Sequence, residues 1–203
     1  MLRIAGCEIT VIDGDISDQA TEAIVNAANP TLLGGGGVDG AIHRRAGPRL
    51  LEECREVRRT TWPAGLPTGQ AVLTGGGDLQ ARFVIHTVGP VWQGGQGGEA
   101  RALADAYVNC LRLARARGIS SIAFPSLSTG AYGYPFEAAS RIAVSSVLDF
   151  LRSPEVRDTP GSAPSFREIR FVLFTRGART RFETVLAAVV GARGSRDGPG
   201  AAP

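Results

Sequence analysis

Three polar side chains and a run of glycines form the part of this sequence that could do chemistry. Asn26 and Asn29 end an apolar segment, residues 34–37 are four consecutive glycines, and Asp39 opens the predicted helix that follows. Glycines let backbone N–H groups approach a ligand closely, and a helix start adds unpaired N–H groups that attract an anion. Asp39 adds no affinity there, because its charge repels an anion. The spacing therefore predicts a phosphate-bearing ligand with an adjacent group that reacts.

A second glycine-containing turn, residues 126–135, carries several hydroxyl groups. It follows an apolar segment and precedes a predicted helix. Two carboxylates, Asp13 and Asp15, flank a further glycine after another apolar segment. Ligands of open α/β sheets bind outside the carboxyl ends of the strands, where these residues would meet. Two turns that offer backbone donors suit a pyrophosphate better than a single phosphate.

Several familiar motifs do not match this order of parts. The turn after the first predicted strand lacks the G-x-G-x-x-G of a dinucleotide-binding fold, because the glycines lie after the second strand, and no Gly-Lys-Ser or Gly-Lys-Thr occurs for a P-loop. No Gly-x-Ser-x-Gly elbow is present, and Ser126 and Ser128 have no histidine nearby in the sequence. With two histidines and no CxxC spacing, the sequence predicts no transition-metal site and no cofactor.

Length and composition restrict the class of protein. The 203 residues, 43% hydrophobic and 20% charged, predict one globular domain with a buried core. No apolar run reaches the roughly 20 residues of a membrane span, and no secretory signal is recognisable. Cys7, Cys54 and Cys110 are typical of reduced, buried thiols. We therefore expect a cytoplasmic protein without a membrane partner.

The positive charge is modest and scattered along the chain. The formal net charge is +3, and the arginines at 44–45 and 58–59 form only pairs. No basic stripe with interleaved aromatic residues occurs, so nucleic acid is disfavoured as the main ligand. A nucleotide-sized anion remains compatible with this charge.

Short apolar segments alternate with amphipathic ones along the chain, which is typical of α/β proteins. The predicted strands are residues 9–13, 23–26, 71–74, 83–87, 122–125 and 169–175. The predicted helices are residues 38–45, 48–58, 99–117, 135–151 and 180–190. Several strands are continuously apolar, as strands covered on both faces are. The pattern predicts a three-layer α/β/α domain with a mixed, largely parallel sheet over residues 1–190, and a disordered tail over residues 191–203.

The order of these motifs resembles the macrodomain family, in particular its MacroD-type branch, which includes bacterial O-acetyl-ADP-ribose deacetylases. The matching segments are residues 14–16, 23–29, 34–43, 84–90 and 124–135, and the resemblance covers about residues 3–190. It implies an ADP-ribose-binding hydrolase that cleaves esters at the distal ribose. The substrates would be O-acetyl-ADP-ribose and mono-ADP-ribosylated proteins modified on Asp or Glu. A non-catalytic ADP-ribose reader module is the alternative, although pure readers commonly lack a carboxylate at the position of Asp39.

The resemblance also implies a role for each matching position. The residues that would bind adenine are Asp15, Ile16 and Phe174, of which Phe174 would stack on the base. The residues that would bind the phosphates are Gly35, Gly36, Gly37, Val38, Ser128, Thr129, Gly130, Ala131 and Tyr132. Tyr132 would also reach the distal ribose, and Asn29 would form a hydrogen bond with that ribose.

Asp39 would hold or deprotonate the attacking water. Because a helix N-terminus lowers the pKa of a carboxyl group, Asp39 is expected to be ionised but a weak base. Activation of the water would then rely partly on the phosphate of the ligand.

Structural interpretations compete with these roles at three positions. Asn26 belongs to the ligand-binding candidates, although an asparagine at a strand end more often satisfies backbone groups. His43 lies one helical turn after Asp39, but a helix that must pack favours a structural role for it. His86, inside an apolar strand, is interpreted as a core histidine with satisfied hydrogen bonds.

Overall fold

Residues 2–156 and 165–194 are described by the computed structural model, and they contain one seven-stranded sheet. The strands are β1 (Leu2–Ile4), β2 (Cys7–Asp13), β3 (Ala23–Ala27), β4 (Ala71–Gly75), β5 (Phe83–Thr87), β6 (Ser121–Phe124) and β7 (Glu168–Leu173). Their order across the sheet is β1-β2-β7-β6-β3-β5-β4. The five inner strands, β2, β7, β6, β3 and β5, pair in parallel with one another. The two edge strands, β1 and β4, are antiparallel to their neighbours. The predicted mixed, largely parallel sheet is confirmed.

Helices cover both faces of the sheet. They are α1 (Gly37–Ala46), α2 (Pro48–Thr60), α3 (Glu99–Ala116), α4 (Phe136–Arg152) and α5 (Arg176–Gly194). Ile24 of β3 packs in one core with α1 and α2, whereas its neighbour Val25 packs in the other core with α3, α4 and α5. Burial on both faces explains why the central strands are apolar at successive positions. The three-layer α/β/α architecture is confirmed.

The structure differs from the sequence prediction at both ends of the chain. Strand β1, which was not predicted, pairs with β2 through a turn in which Ala5 has a φ of 48° and Gly6 a φ of 78°. Alanine rarely adopts positive φ, so the sequence carries no clear signal for this turn. Helix α5 begins at Arg176 rather than at residue 180, because the Thr175 hydroxyl accepts a hydrogen bond from the N–H of Ala178.

The predicted C-terminal tail starts inside this last helix. Helix α5 extends to Gly194, so residues 191–194 are helical, and residues 195–203 lie outside the described residues. Cys7, Cys54 and Cys110 are buried and unpaired, as predicted. Within residues 2–156 and 165–194, no helix combines the length and the apolarity that crossing a bilayer requires.

Candidate active site

A cleft lies between the two glycine-containing loops, at the carboxyl ends of the parallel strands. One compartment, of about 330 Å³, contains Asp39, and we call it the acidic compartment. The other, of about 580 Å³, contains Phe174, and we call it the aromatic compartment. Both compartments share as lining residues Gly37, Val38, Ser126 and Gly130. They therefore meet between the loops and form one elongated site.

All but two of the predicted site residues line this cleft. The exceptions are Asn26, which is fully buried beneath Asp39, and Gly35. The position of Asn26 does not match its place among the ligand-binding candidates, because its amide is engaged by side chains of the core. A Cβ atom at Gly35 would lie 3.0 Å from both Asn29 Nδ2 and Asp39 Oδ2. Gly35 thus lets these two side chains approach each other.

The first glycine loop presents unpaired backbone donors to the cleft. Gly36 precedes α1 without a capping side chain. Among the described residues, the N–H groups of Gly37, Val38 and Asp39 donate no hydrogen bond. Gly37 has a φ of 57°, which favours glycine, and a Cβ at Gly40 would come within 2.4 Å of the Gly35 carbonyl oxygen. The loop and the helix start therefore present unpaired donors of the kind that an anion cradle requires.

The second loop offers donors from a turn rather than from a helix end. The Tyr134 N–H donates to the Ser128 carbonyl at 3.0 Å, and α4 begins only at Phe136. The N–H groups of residues 129–132 donate no hydrogen bond within the described part of the chain. Ser128 is a non-glycine residue with a φ of 65°, a conformation that costs about 1–3 kcal/mol and persists mainly at functional sites.

Asp39 is held asymmetrically at the floor of the acidic compartment. Its Oδ1 accepts a hydrogen bond from Asn26 Nδ2 at 2.6 Å and lies 3.5 Å from His43 Nε2. Its Oδ2 is buried and has no hydrogen-bond partner among the described residues, and the residue is only 4% exposed. One oxygen is therefore fixed by a hydrogen bond, and the other is left without a partner in this part of the chain.

The ionisation of Asp39 differs from the sequence-based expectation. Burial raises the pKa of the Asp39 carboxyl group, although the Asn26 amide and His43 act in the opposite direction. The expectation that the helix N-terminus lowers this pKa was wrong, because desolvation outweighs the favourable interactions. A carboxylate with a raised pKa is a stronger base than an ordinary aspartate.

Behind Asn26 lies a buried histidine. His86 Nδ1 is 3.1 Å from Asn26 Nδ2, and His86 Nε2 is 2.8 Å from the Thr74 hydroxyl. Burial lowers the pKa of His86 to about 3, so its ring is neutral. The prediction of a satisfied core histidine is confirmed.

A possible set of metal ligands surrounds this histidine. His43, Cys54 and His86 place ligand atoms within 4.8 Å of one another. Both ring nitrogens of His86 are hydrogen-bonded, however, and burial raises the pKa of the Cys54 thiol to about 12. Because metal binding requires free nitrogen and thiolate donors, this arrangement suits a hydrogen-bonded core better than a metal centre.

Asn29 stabilises the turn that leads into the glycines. Its Oδ1 accepts hydrogen bonds from the N–H and the hydroxyl of Thr31, at 2.9 and 2.5 Å. Its Nδ2 donates to the Gly34 carbonyl at 2.9 Å. This local pairing keeps the amide beside Asp39 at the edge of the acidic compartment.

The aromatic compartment combines a carboxylate with an exposed ring. Asp15 Oδ1 accepts hydrogen bonds from the N–H and the hydroxyl of Ser17, at 2.8 and 2.7 Å. These bonds leave the second carboxylate oxygen of Asp15 for another partner. Phe174 is 81% exposed, and β7 ends one residue before it rather than beyond it as predicted. An exposed aromatic ring at the edge of a cleft is suited to stacking on a flat ligand.

The sequence pattern indicates no role for Gly89, and it favours a purely structural role for His43. Gly89 lines the acidic compartment, and a Cβ atom there would lie 2.2 Å from the Ser128 hydroxyl oxygen. The match of residues 84–90 to a family motif could have indicated Gly89. The spacing of four residues from Asp39 could have indicated His43.

This fold and cleft define a known class of protein. The family model described as Macro domain matches residues 25–143. The chain therefore belongs to the macrodomain family.

Named relatives and solved structures agree with this assignment. An O-acetyl-ADP-ribose deacetylase from Enterobacter sp. is 59% identical over 144 residues, which are 71% of this chain and 79% of that protein. A macrodomain structure from Oceanobacillus iheyensis, solved with ADP, has a TM-score of 0.81 and 40% identity, over 90% of this chain and 91% of its own. A Trypanosoma brucei macrodomain in complex with ADP-ribose has a TM-score of 0.74 and 40% identity, over 87% of this chain and 68% of its own.

Proposed function

We propose that this protein is an ADP-ribose-binding hydrolase that cleaves esters at the distal ribose. Its substrates are O-acetyl-ADP-ribose and ADP-ribose attached to Asp or Glu side chains of proteins. The observation that carries this proposal is the unpartnered Oδ2 of Asp39, a buried carboxylate oxygen beside two loops with free backbone donors. The name of the Enterobacter relative and the ligands of the two solved structures support the same substrate class.

The two compartments suggest how the ligand is oriented. Adenine occupies the aromatic compartment, where it stacks on Phe174 and donates its exocyclic amine to the free oxygen of Asp15, beside the backbone of Ile16. The diphosphate lies between the two loops, where unpaired N–H groups compensate its charge. The distal ribose then reaches Asn29 and Tyr132, and its ester lies next to Asp39.

Asp39 activates the water that attacks this ester. Oδ2 accepts a proton from the water while the water oxygen bonds to the acyl carbon. The bond between that carbon and the ribose oxygen then breaks, and the proton passes to the ribose oxygen. Because burial raises the pKa of Asp39, the sequence-based reason for giving the ligand phosphate a share in this step no longer applies.

The proposed partners are small nucleotide ligands and modified proteins of the cytoplasm. Cys7, Cys54 and Cys110 support a reducing compartment, because all three are buried and unpaired. The anion cradles favour a ligand of nucleotide size over a nucleic acid, which would need an extended basic surface.

The direct test is incubation with O-acetyl-ADP-ribose and with a protein automodified on acidic residues. Hydrolysis of both supports the proposal, and the ratio of the rates identifies the preferred substrate. Binding of ADP-ribose without hydrolysis of either compound would instead make the protein a reader module.

ADP-ribose is expected to bind more tightly than AMP, by a factor of about 100 or greater. AMP lacks the second phosphate and the distal ribose, and each charge-assisted hydrogen bond contributes roughly 1.5–3 kcal/mol. Isothermal titration calorimetry of both ligands in one buffer checks this. Equal affinities would contradict the model in which both loops bind phosphate.

Asp15→Asn is expected to weaken ADP-ribose binding about tenfold or more and to leave kcat nearly unchanged. The amide can still accept the hydrogen bonds from Ser17, but it then presents N–H groups to the adenine amine. Loss of a contact far from the reacting bond affects ground and transition states alike. Calorimetry and saturation kinetics separate the two effects, and a large fall in kcat at unchanged affinity would mean that the ligand binds in the reverse orientation.

A further inference from the structure

Four buried side chains form an unbroken hydrogen-bonded chain that ends at Asp39. Asp39 Oδ1 lies 2.6 Å from Asn26 Nδ2, which lies 3.1 Å from His86 Nδ1. His86 Nε2 lies 2.8 Å from the Thr74 hydroxyl, which also faces the Gly75 carbonyl at 3.2 Å. All four residues are at most 4% exposed. Each group in such a chain restricts the proton position of the next.

One arrangement of protons fits an ionised Asp39. The carboxylate accepts from the Asn26 amide N–H, and the second N–H of the same amide donates to His86 Nδ1. The ring proton of His86 then lies on Nε2 and points to the Thr74 oxygen, while the Thr74 hydroxyl donates to the Gly75 carbonyl.

A second arrangement fits a protonated Asp39 with the same positions of the heavy atoms. The carboxylic acid donates to the amide oxygen of Asn26, which has rotated by half a turn. That oxygen also accepts a hydrogen bond from the Nδ1–H of His86, and the unprotonated Nε2 of His86 accepts a hydrogen bond from the Thr74 hydroxyl. His86 is neutral in both arrangements, consistent with a pKa lowered to about 3 by burial. One proton is gained overall, and it is on Asp39.

We propose that Asn26, His86 and Thr74 are positioning residues that couple the proton on Asp39 to the tautomer of His86. The ionised form of Asp39 requires the Nε2–H tautomer, and the protonated form requires the Nδ1–H tautomer. The Thr74 hydroxyl, three side chains away from the cleft, thereby helps to set the pH at which Asp39 becomes a base. The consequence for hydrolysis rests on the proposed catalytic role of Asp39, whereas the tautomer coupling does not.

Other titratable groups near Asp39 lie outside this chain of four side chains. They are His43 on α1, with Nε2 at 3.5 Å, the Cys54 thiol on α2, and the Tyr132 hydroxyl on the second loop. The Cys54 thiol lies 3.7 Å from His86 Nε2 and can donate to that nitrogen. The Cys54 thiol therefore favours the Nδ1–H tautomer of His86 whenever the Thr74 oxygen no longer accepts a hydrogen bond from Nε2–H.

Nitrogen-15 NMR of the two histidines tests the coupling directly. The 203-residue chain contains two histidines, His43 and His86, so the spectrum of the labelled protein is simple. We expect His86 to change from the Nε2–H to the Nδ1–H tautomer as the pH falls through the range in which Asp39 titrates. An unchanged tautomer across that range would overturn the proposal.

Substitution of Asp39 by asparagine removes the titrating proton and provides a second measurement. The amide of Asp39→Asn does not ionise, whether it donates to the Asn26 oxygen or accepts from the Asn26 N–H. We expect His86 in this variant to keep one tautomer across the pH range in which the wild-type tautomer changes. A tautomer change over the same range in a folded Asp39→Asn protein would contradict the coupling.

A matched pair of variants tests the role of Thr74. Thr74→Val removes the acceptor of the His86 Nε2–H at similar volume, and Thr74→Ser keeps it. In Thr74→Val, we expect the acidic limb of the pH profile of kcat to shift to higher pH by about one unit. The kcat at high pH and the affinity for ADP-ribose should be unchanged. Thr74→Ser should follow the wild-type profile.

Thr87→Val is the control for loss of a buried hydroxyl. Thr87 adjoins His86, but its hydroxyl donates to the Gln70 carbonyl at 2.8 Å, outside the chain of four side chains. We expect this variant to keep the wild-type tautomer and pH profile even if its melting temperature falls. Equal profiles for all three threonine variants would overturn the role of Thr74. A wild-type protein without hydrolysis at any pH would refute the proposed function, and the NMR measurements would still decide the coupling.

Discussion

Asp39→Ala should reduce the hydrolysis of O-acetyl-ADP-ribose on the order of 10²-fold or more, with ADP-ribose affinity retained within about tenfold. The variant loses the only group in the acidic compartment, among the described residues, that presents an unpartnered carboxylate oxygen. The phosphate donors are backbone N–H groups of other residues, so binding persists. Removal of a negative charge beside an anionic ligand also lowers repulsion.

Single-turnover kinetics and calorimetry on the same preparation check this result. Asn29→Ala serves for comparison, and its loss of turnover should be smaller because Asn29 orients the ribose without receiving a proton. A folded Asp39→Ala protein with wild-type turnover would remove the catalytic assignment.

Gly35→Ala is expected to lower kcat by about 3–10-fold, with a smaller change in ADP-ribose affinity. The added Cβ atom would lie 3.0 Å from Asn29 Nδ2 and 3.0 Å from Asp39 Oδ2, so these side chains must give way by a few tenths of an ångström. Misplacement of reacting groups by about 1 Å can reduce turnover about 10²-fold, and this smaller displacement reduces it less. Steady-state kinetics and calorimetry measure the two quantities.

Gly191→Ala provides the matched control for Gly35→Ala. Gly191 lies in α5, and a Cβ atom there would meet no atom of the described residues within 4 Å. Turnover should be unchanged in this variant, and stability should rise by about 0.5–1 kcal/mol, because alanine favours the helix. Wild-type kcat in Gly35→Ala would mean that the spacing of Asn29 and Asp39 does not limit the reaction.

The layered fold could be predicted because the sequence pattern of each central element agrees with its burial. Residues 83–87 are predicted as a strand and form β5 with the same bounds, since the strand begins with three successive apolar residues, as strands covered on both faces do. Strand β1 could not be predicted, because it is only three residues long and its turn depends on a positive φ at Ala5. The start of α5 also depends on a local hydrogen bond to Thr175, which composition does not reveal.

The outline of the site could be predicted, but the electrostatics could not. The glycine run and the order of the motifs singled out Asp39 and Asn29, and both residues line the acidic compartment. The pKa of Asp39 depends on how deeply the side chain is buried and on the hydrogen bond from Asn26, and both arise from tertiary packing. For the same reason, the sequence could not distinguish a ligand contact from a contact within the core at Asn26.

The cleft offers an anion mainly backbone N–H groups, and this affects how the protein responds to mutation. Among the described residues that line the cleft, Arg44 alone has a cationic side chain, so a bound anion would be met mainly by backbone N–H groups, which every amino acid except proline carries. Most side-chain replacements in the loops preserve these donors, provided that the backbone keeps its path. In the proposed mechanism, by contrast, bond cleavage depends on very few side chains. A single substitution can therefore remove hydrolysis from this scaffold while nucleotide binding persists.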